Sequence, residues 1–573
     1  MVYTVNGNRH ASRLHLGLAK CRASSATRLL AVLLAIALAD CATAHDLLVV
    51  SPGSKASGNA DAFYSSIADA MNALQPGDHL VISAGVYRES LLFPTRDWGS
   101  AKETVIEGNG EVVINGADIV KGWTSVSNEV FAVQLAHEPA QVAIDASLLR
   151  QIGGTVFDGY PLNASSVWNP LHGDLGGIWP GRIDGDDRNL PMNSFYYDRD
   201  AHRLYVRIDK PEIAQHSVEV SSRTYSAYGA SLANVTLRNL SFRFGNTSIS
   251  SRAGLVTLAG KHIVLDHIAV SEADSVGVEL DGDDNTMTQV VANRCGQLGI
   301  KARGSRVSIA SSETSYNNTR RFNKWWEAGG AKFIGNGGLQ NSVVSEHTAL
   351  GNIGDGIWFD WENRGNRVEY SDVQYNSGMG IHYEASATAT IVDNVVVGNG
   401  QRGIYLPHSS GSVVAYNLVA GNGLQGIAII DEGRADPDGT FDLRPKSNRV
   451  LANVVAWNGG ELTLPRERAD NIADDNVYIE PTDAGAFELG WRSPMFASLS
   501  AWVKATAQDA HSIFIKRSID ASFKRSVSKK EAKADLAWYR ALRPTFAPVR
   551  QGSSAAGIAT GSGTRDGLPG PAI

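Results

Sequence analysis

Two segments, GDGIWFD (Gly354 to Asp360) and GMGIHYE (Gly378 to Glu384), share one form: glycine, any residue, glycine, isoleucine, a ring, a second ring, an acid. The acids, Asp360 and Glu384, stand at the same phase, 24 residues apart (384 less 360). Two carboxylates held ~5–5.5 Å apart are the nucleophile and acid/base of a retaining glycosidase, whereas inverting enzymes need ~6.5–9.5 Å. Acids that close repel, so one is expected to hold its proton above the usual carboxylate range, as a general acid must. The same pair could instead bind calcium or lie on a plain solvated surface, although stacked like charges on neighbouring strands are unfavourable without a task or a cation. Which reading applies depends on where 24 residues of chain lead.

The spacing supplies an answer. Glycines that open short apolar stretches recur at Gly254, Gly277, Gly299, Gly330, Gly356, Gly380, Gly403 and Gly426, and all but one of the steps lie between 22 and 26. Asparagines keep a similar rhythm: Asn293, Asn317, Asn352, Asn376, Asn399 and Asn422, with Asn394 and Asn417 one strand earlier. A period near 23, β-branched strands and Asn/Gly corners predict an all-β fold, a right-handed parallel β-helix with one coil per repeat. Asparagine suits the corners because it tolerates the left-handed backbone region and its amide can bond to the amide of the next coil. One and three residues after each glycine come Ile357 and Phe359, Ile381 and Tyr383, Ile404 and Leu406, which should point inward. Offsets two and four then point to solvent. Asp360 and Glu384 both sit at offset four, on adjacent strands ~4.8 Å apart, so their carboxyl groups should lie roughly 5 Å apart.

Offset two gives Lys332, Trp358, His382 and Tyr405 in successive coils, a row with apolar faces and polar edges suited to a sugar. The one long glycine step, 31 residues, contains RRFNKWWEAGG, predicted as a loop that brings Trp325, Trp326 and Glu327 beside the same strands, either to bind a ligand or to pack on the solenoid. Trp361 and Glu362 border the groove on its far side, and Asp355 reads as a corner residue. The pair His408-Ser409 reads as structural, and no Ser-His-Asp set, P-loop or Cys/His metal site is apparent.

The stretches NKWWEAGGAKF, GDGIWFDWEN and GMGIHYEAS resemble the β-helix β-xylosidases of glycoside hydrolase family 120 over roughly residues 317 to 410. The resemblance implies that Asp360, in WFDW, is the nucleophile and Glu384, in HYEAS, the acid/base. Two other readings compete. A polysaccharide lyase would use Lys332 and His382 on a uronate, with Asp360 and Glu384 holding Ca2+; a non-catalytic exopolysaccharide-binding protein would keep the aromatic row and tolerate loss of either acid. The hydrolase reading needs no cofactor and no metal.

Flanking regions complete the expectation. Residues 1–44 carry five basic residues, the apolar run Leu29 to Ala39 and Ala42-Thr43-Ala44, a signal peptide for export to a periplasmic or extracellular location. Eleven apolar residues are too few for a membrane span, which needs ~20. Cys41 hints at a lipoprotein site, but Asp40 stands where such sites have a small residue. Without that segment, 52 less 5 leaves 47 basic and 59 less 1 leaves 58 acidic residues, net −11, which offers no long-range attraction for nucleic acid or anionic lipid. Cys295 would then be the one remaining cysteine, with no internal disulfide. The predicted order is 45–135, a cap with a helix in SSIADAMNAL and the first coils; 136–222, a β-rich insertion with a hairpin in NSFYYDRDAHRLYVRI; 223–475, the main β-helix; 476–550, last coils and a helix near Ser528; and 551–573, a disordered tail.

Overall fold

A strand of three to six residues with one apolar face has nothing of its own to bury that face against, so coils must stack. The computed structural model describes residues 44–50, 59–99, 102–127, 129–152, 190–210, 212–247, 253–335, 337–436, 439, 441–467 and 470–518. In it the chain winds as a parallel β-helix in which each coil adds one strand to each of three ladders. The ladder that matters most here contains β1 (Gly329–Phe333), β2 (Asp355–Asp360), β3 (Ile381–Glu384) and β4 (Ile404–Pro407). Its register is continuous: Ala331, Ile357, Ile381 and Ile404 are successive partners, all within the interior. One apolar core runs the length of the solenoid, and Phe333, Phe359 and Tyr383 stack within it at 4.7 and 5.1 Å between centroids.

Asparagine amides lock this register. Asn317, Asn352, Asn376, Asn399, Asn422 and Asn458 form a buried ladder, each Nδ2 donating to the next Oδ1 at 2.8–3.0 Å. Asn394, Asn417, Asn453 and Asn476 form a second, at 3.0–3.1 Å. Two details differ from expectation. The left-handed residue is the one before the asparagine (Gly351, Tyr375, Gly398, Gly421), so the amide serves the stacking and its neighbour makes the bend. Asn293 lies in a strand, and its coil presents Cys295 to the ladder instead, through its backbone N–H to Asn317 Oδ1 at 2.9 Å.

Both ends are closed. Near the start, α1 (Ile67–Ala73) is capped by Ser66 Oγ, which accepts the Asp69 N–H, and it buries Ile67, Ala70 and Met71. At the far end, α2 (Leu499–Thr506) sets Trp502 on Phe487 at 5.7 Å and ties its indole N–H to Asp509. This second helix was not expected; the expected one near Ser528, the signal segment and the tail lie outside the described residues. The predicted hairpin is present, Ser194–Asp198 against Arg203–Arg207. The two small sheets to which the β-rich insertion belongs draw strands from Ala117 to Ser221, so the departure from the solenoid begins earlier than residue 136. Among the described residues no helix is long and apolar enough to cross a membrane.

Asn399 makes four side-chain bonds, to Asn376 N and Nδ2, Val373 O and Asn422 Oδ1. Each orphaned buried partner costs roughly 1–3 kcal/mol, so Asn399→Ala should destabilise the chain by about 3 kcal/mol or more, read from the denaturant midpoint. The first ladder ends on Glu461, which accepts from Asn458 N and Nδ2 and shares a hydrogen bond with Glu480. Burial and that second acid hold Glu461 well above the ordinary 4.5. The folded chain therefore binds this proton more tightly than the unfolded one, and stability should fall as pH rises from about 4.5. Glu461→Gln should weaken that fall, measured as the change in Tm between acidic and alkaline buffer.

Candidate functional site

The in-register pairing of β2 with β3 makes Asp360 and Glu384 direct cross-strand partners. Their backbones are therefore one strand spacing apart, ~4.8 Å. Neither is an isolated charge. Lys332, on β1, places Nζ 2.9 Å from Asp360 Oδ2, and Arg434 donates to Glu384 Oε1. The repulsion expected between two bare acids is thus offset by a separate cation on each.

Lys332, Trp358, His382 and Tyr405 do form the row that the repeat predicts, but they are not solvent-facing: their exposures are 1, 5, 6 and 4%. They face away from the core and are covered. Lys332 lies with Nζ 3.3 Å from the Trp358 ring centroid and donates to Trp326 O. Trp358 stacks on His382 (5.0 Å, 10° between planes), and His382 on Tyr405 (4.9 Å, 30°). The edges of the rings carry the polar contacts. Trp358 Nε1 donates to Glu384 Oε2 at 3.1 Å, and Tyr405 Oη donates to Glu432 at 2.6 Å. Burial pushes the Tyr405 phenol far above its usual range, which keeps it a neutral donor.

Two loops supply the cover, each where the asparagine ladder takes a long step. From Asn317 to Asn352 the step is 35 residues, and the loop within it carries Trp325, Trp326 and Glu327. Its ends are held by Asn318 Nδ2, which donates to Phe322 O and Ile353 O. Glu327 is buried, Trp326 is half-buried and bonds Lys332 through its carbonyl, and Trp325 is 41% exposed with Lys324 over its ring. The loop therefore divides its aromatics: Trp326 is half-buried and Trp325 is exposed. From Asn422 to Asn458 the step is 36 residues against 23 in the coil before. That longer coil brings Glu432 to Tyr405 and Arg434 to Glu384, and it seats Phe441 and Leu443 on Ala385 and Ala387 with Trp361 packed alongside. Trp361 and Glu362 both take left-handed backbone, a sharp turn that ends β2 directly after the acid.

Asp355 is more than a corner. It is 5% exposed, and its carboxylate accepts the Met379 N–H at 2.7 Å and meets His382 Nδ1 at 2.8 Å. Asp355, Arg402 (its guanidinium 4.4 Å from the Tyr405 ring centroid), Glu432 and Arg434 are the residues that the sequence pattern missed. A second long asparagine step was the available signal for the last two. His408 and Ser409 are structural, as expected: His408 Nε2 accepts the Glu432 N–H and Ser409 Oγ donates to Tyr383 O.

The arrangement sets two carboxyl groups on adjacent strands, each beside a cation and above a buried stack of rings. A divalent cation bound by both acids would have to displace Lys332 and Arg434. Among the described residues the one three-ligand grouping of metal-binding type is Asp474, Asp475 and His511, in a different part of the fold.

Comparisons agree with the fold. Residues 308–441 match the family model described as right handed beta helix region. No curated protein matches in sequence. Among solved structures, the chain is similar to XylC in complex with xylose (12% identity, 82% of this chain and 83% of that one, TM-score 0.47). It is also similar to a glycoside hydrolase (11% identity, 76% and 96%, TM-score 0.45) and to the pectate lyase Pel9A (12% identity, 85% and 84%, TM-score 0.33).

Breaking one side of a close-packed ion pair costs about 3–5 kcal/mol, because the other charge is left without its partner. Lys332→Met should therefore lower the denaturant midpoint, and adding Asp360→Asn should restore most of the loss. Additive losses would show that the two side chains do not depend on each other.

Proposed function

We propose that this chain is an exported retaining glycoside hydrolase acting on a poly- or oligosaccharide, with Asp360 as nucleophile and Glu384 as acid/base. The observation that carries the reading is the pairing of the two acids in register on adjacent strands, whose ~4.8 Å spacing is compatible with the ~5–5.5 Å between carboxyl groups that a double displacement needs. The exposed Trp325 offers a sugar an apolar face, and Asp360, Glu384 and Arg434 offer charged partners for its hydroxyl groups.

Lys332, its Nζ 2.9 Å from Asp360 Oδ2, orients that carboxyl group as a nucleophile requires. Arg434 occupies the Glu384 oxygen not used by Trp358, so a substrate's leaving oxygen must take the guanidinium's place before Glu384 can donate to it. Glu384 then protonates that oxygen while Asp360 bonds to the anomeric carbon. In the second step Glu384 takes a proton from water as the glycosyl–Asp360 bond breaks. The resemblance to family 120 β-xylosidases makes xylosides the first substrates to try.

With a panel of plant and bacterial glycans, wild-type protein should release reducing ends without the absorbance of unsaturated uronates. Asp360→Asn should lose at least about 10³-fold in rate, and Glu384→Gln roughly 10²–10⁴-fold. Added azide should restore turnover of activated glycosides in Glu384→Ala, since an activated leaving group departs without the acid and azide attacks the glycosyl–Asp360 bond without the base. Unsaturated products that disappear with a chelator would instead identify a lyase with the acids as Ca2+ ligands; binding without turnover would identify a carbohydrate-binding protein.

A further inference from the structure

His382 has a carboxylate at each ring nitrogen. Nδ1 lies 2.8 Å from Asp355 Oδ2, and the other Asp355 oxygen is fixed by the Met379 N–H. Nε2 is buried and lies 3.5 Å from Glu384 Oε2, with no closer polar partner among the described residues. The ring cannot tip away, because Trp358 and Tyr405 sandwich it at 5.0 and 4.9 Å. The other charged groups around it are Lys332 against Trp358, Arg402 and Glu432 at Tyr405, and Arg434 on Glu384.

We propose that Asp355 and His382 form a proton store for Glu384, an assignment that rests on the hydrolase reading above. With a hydrogen on each nitrogen, the imidazolium satisfies both carboxylates that face it. Asp355, Asp360 and Glu384 are then balanced by His382, Lys332 and Arg434, three charges against three. Displacement of Arg434 by substrate removes one cation from Glu384 and raises that acid's demand for a proton. The Nε2–H bond breaks and an O–H bond forms at Glu384 Oε2, the oxygen that faces Nε2; a half-turn of the carboxyl group then carries this O–H to the place Arg434 has left, and the other oxygen takes up the Trp358 N–H. Glu384 passes this proton to the glycosidic oxygen as the bond from that oxygen to the anomeric carbon breaks and Asp360 bonds to the carbon. Water then delivers a hydroxyl to the anomeric carbon, Asp360 departs, and the water's proton goes to Glu384 and back to Nε2 as Arg434 returns. One water is consumed and no proton is gained or lost. His382 and Asp355 touch no reacting atom; both act through Glu384.

The test compares His382→Gln and Asp355→Asn with wild type in the full chain. Both variants should lower kcat/KM at its plateau by roughly tenfold or more, with KM little changed, and the alkaline limb of the pH profile should move to lower pH. Loss of rate by the same factor at every pH would overturn the proposal and leave His382 a packing residue. Histidine labelled with 15N gives a reading that needs neither substrate nor turnover. The His382 signals, identified by their absence in His382→Gln, should show both nitrogens protonated near neutral pH in wild type, and a neutral ring in Asp355→Asn. A neutral ring in wild type would overturn the store. If Asp360→Asn and Glu384→Gln keep full hydrolysis, the hydrolase reading fails, while the nitrogen signals still judge the His382 assignment.

Discussion

Everything at the site depends on the register of parallel strands, and the asparagine ladders hold that register. A strand that slips by one residue turns every side chain to the opposite face. Such a slip in β3 would put Glu384 among the core residues and Tyr383 outside, and it would break the bonds from Asn376 to Asn399. Continuous amide stacking makes that slip expensive at each coil, because each Nδ2 and Oδ1 is buried and its sole compensation lies in the neighbouring coils. The distance between the two acids is therefore a property of the solenoid's repeat, little affected by the loops.

The loops govern what the acids can do. A bare stack of two carboxylates would be poorly tolerated on a sheet face. Here Lys332 answers Asp360 from the coil before, and Arg434 answers Glu384 from a loop inserted two coils later. The difference in origin matters. Lys332 is 1% exposed and pinned between Trp326 O and the Trp358 ring, a permanent part of the sheet face. Arg434 is more exposed and sits over Trp361 at 5.5 Å, a contact that an entering ligand can replace. One acid is thus paired with a buried cation and the other with a more exposed one, although the two sit at equivalent phases of one repeat.

Much of this was legible in the chain. The glycine period and the offsets predicted which residues face outward, and Asp360 and Glu384, with the row from Lys332 to Tyr405, came out on adjacent strands as expected. What periodicity cannot convey is what covers a face. The outward row is buried because two long coils fold back over it, and a loop of irregular sequence carries no repeat from which its path can be read. Arg434 and Glu432 were missed for that reason. Asp355 was missed for another: at the start of β2 its inward or outward sense depends on the bulge-like corner, and its partner His382 lies 27 residues on. The capping helix with Trp502 escaped notice because it is only eight residues long; Leu499, Trp502, Val503 and Thr506 share one face, but two turns are too short for that spacing to stand out in a β-rich chain.

The central claim, that strand spacing sets the chemistry, meets its most direct test in the stereochemistry of the first product. Proton NMR can follow the anomeric signal of the sugar released by wild-type protein from an active glycoside, before mutarotation mixes the forms. A first product with the anomeric configuration of the substrate is the expected result. A first product of opposite configuration would contradict the account, since it would need the carboxyl groups of two in-register acids on adjacent strands to stand ~6.5–9.5 Å apart with a water between them.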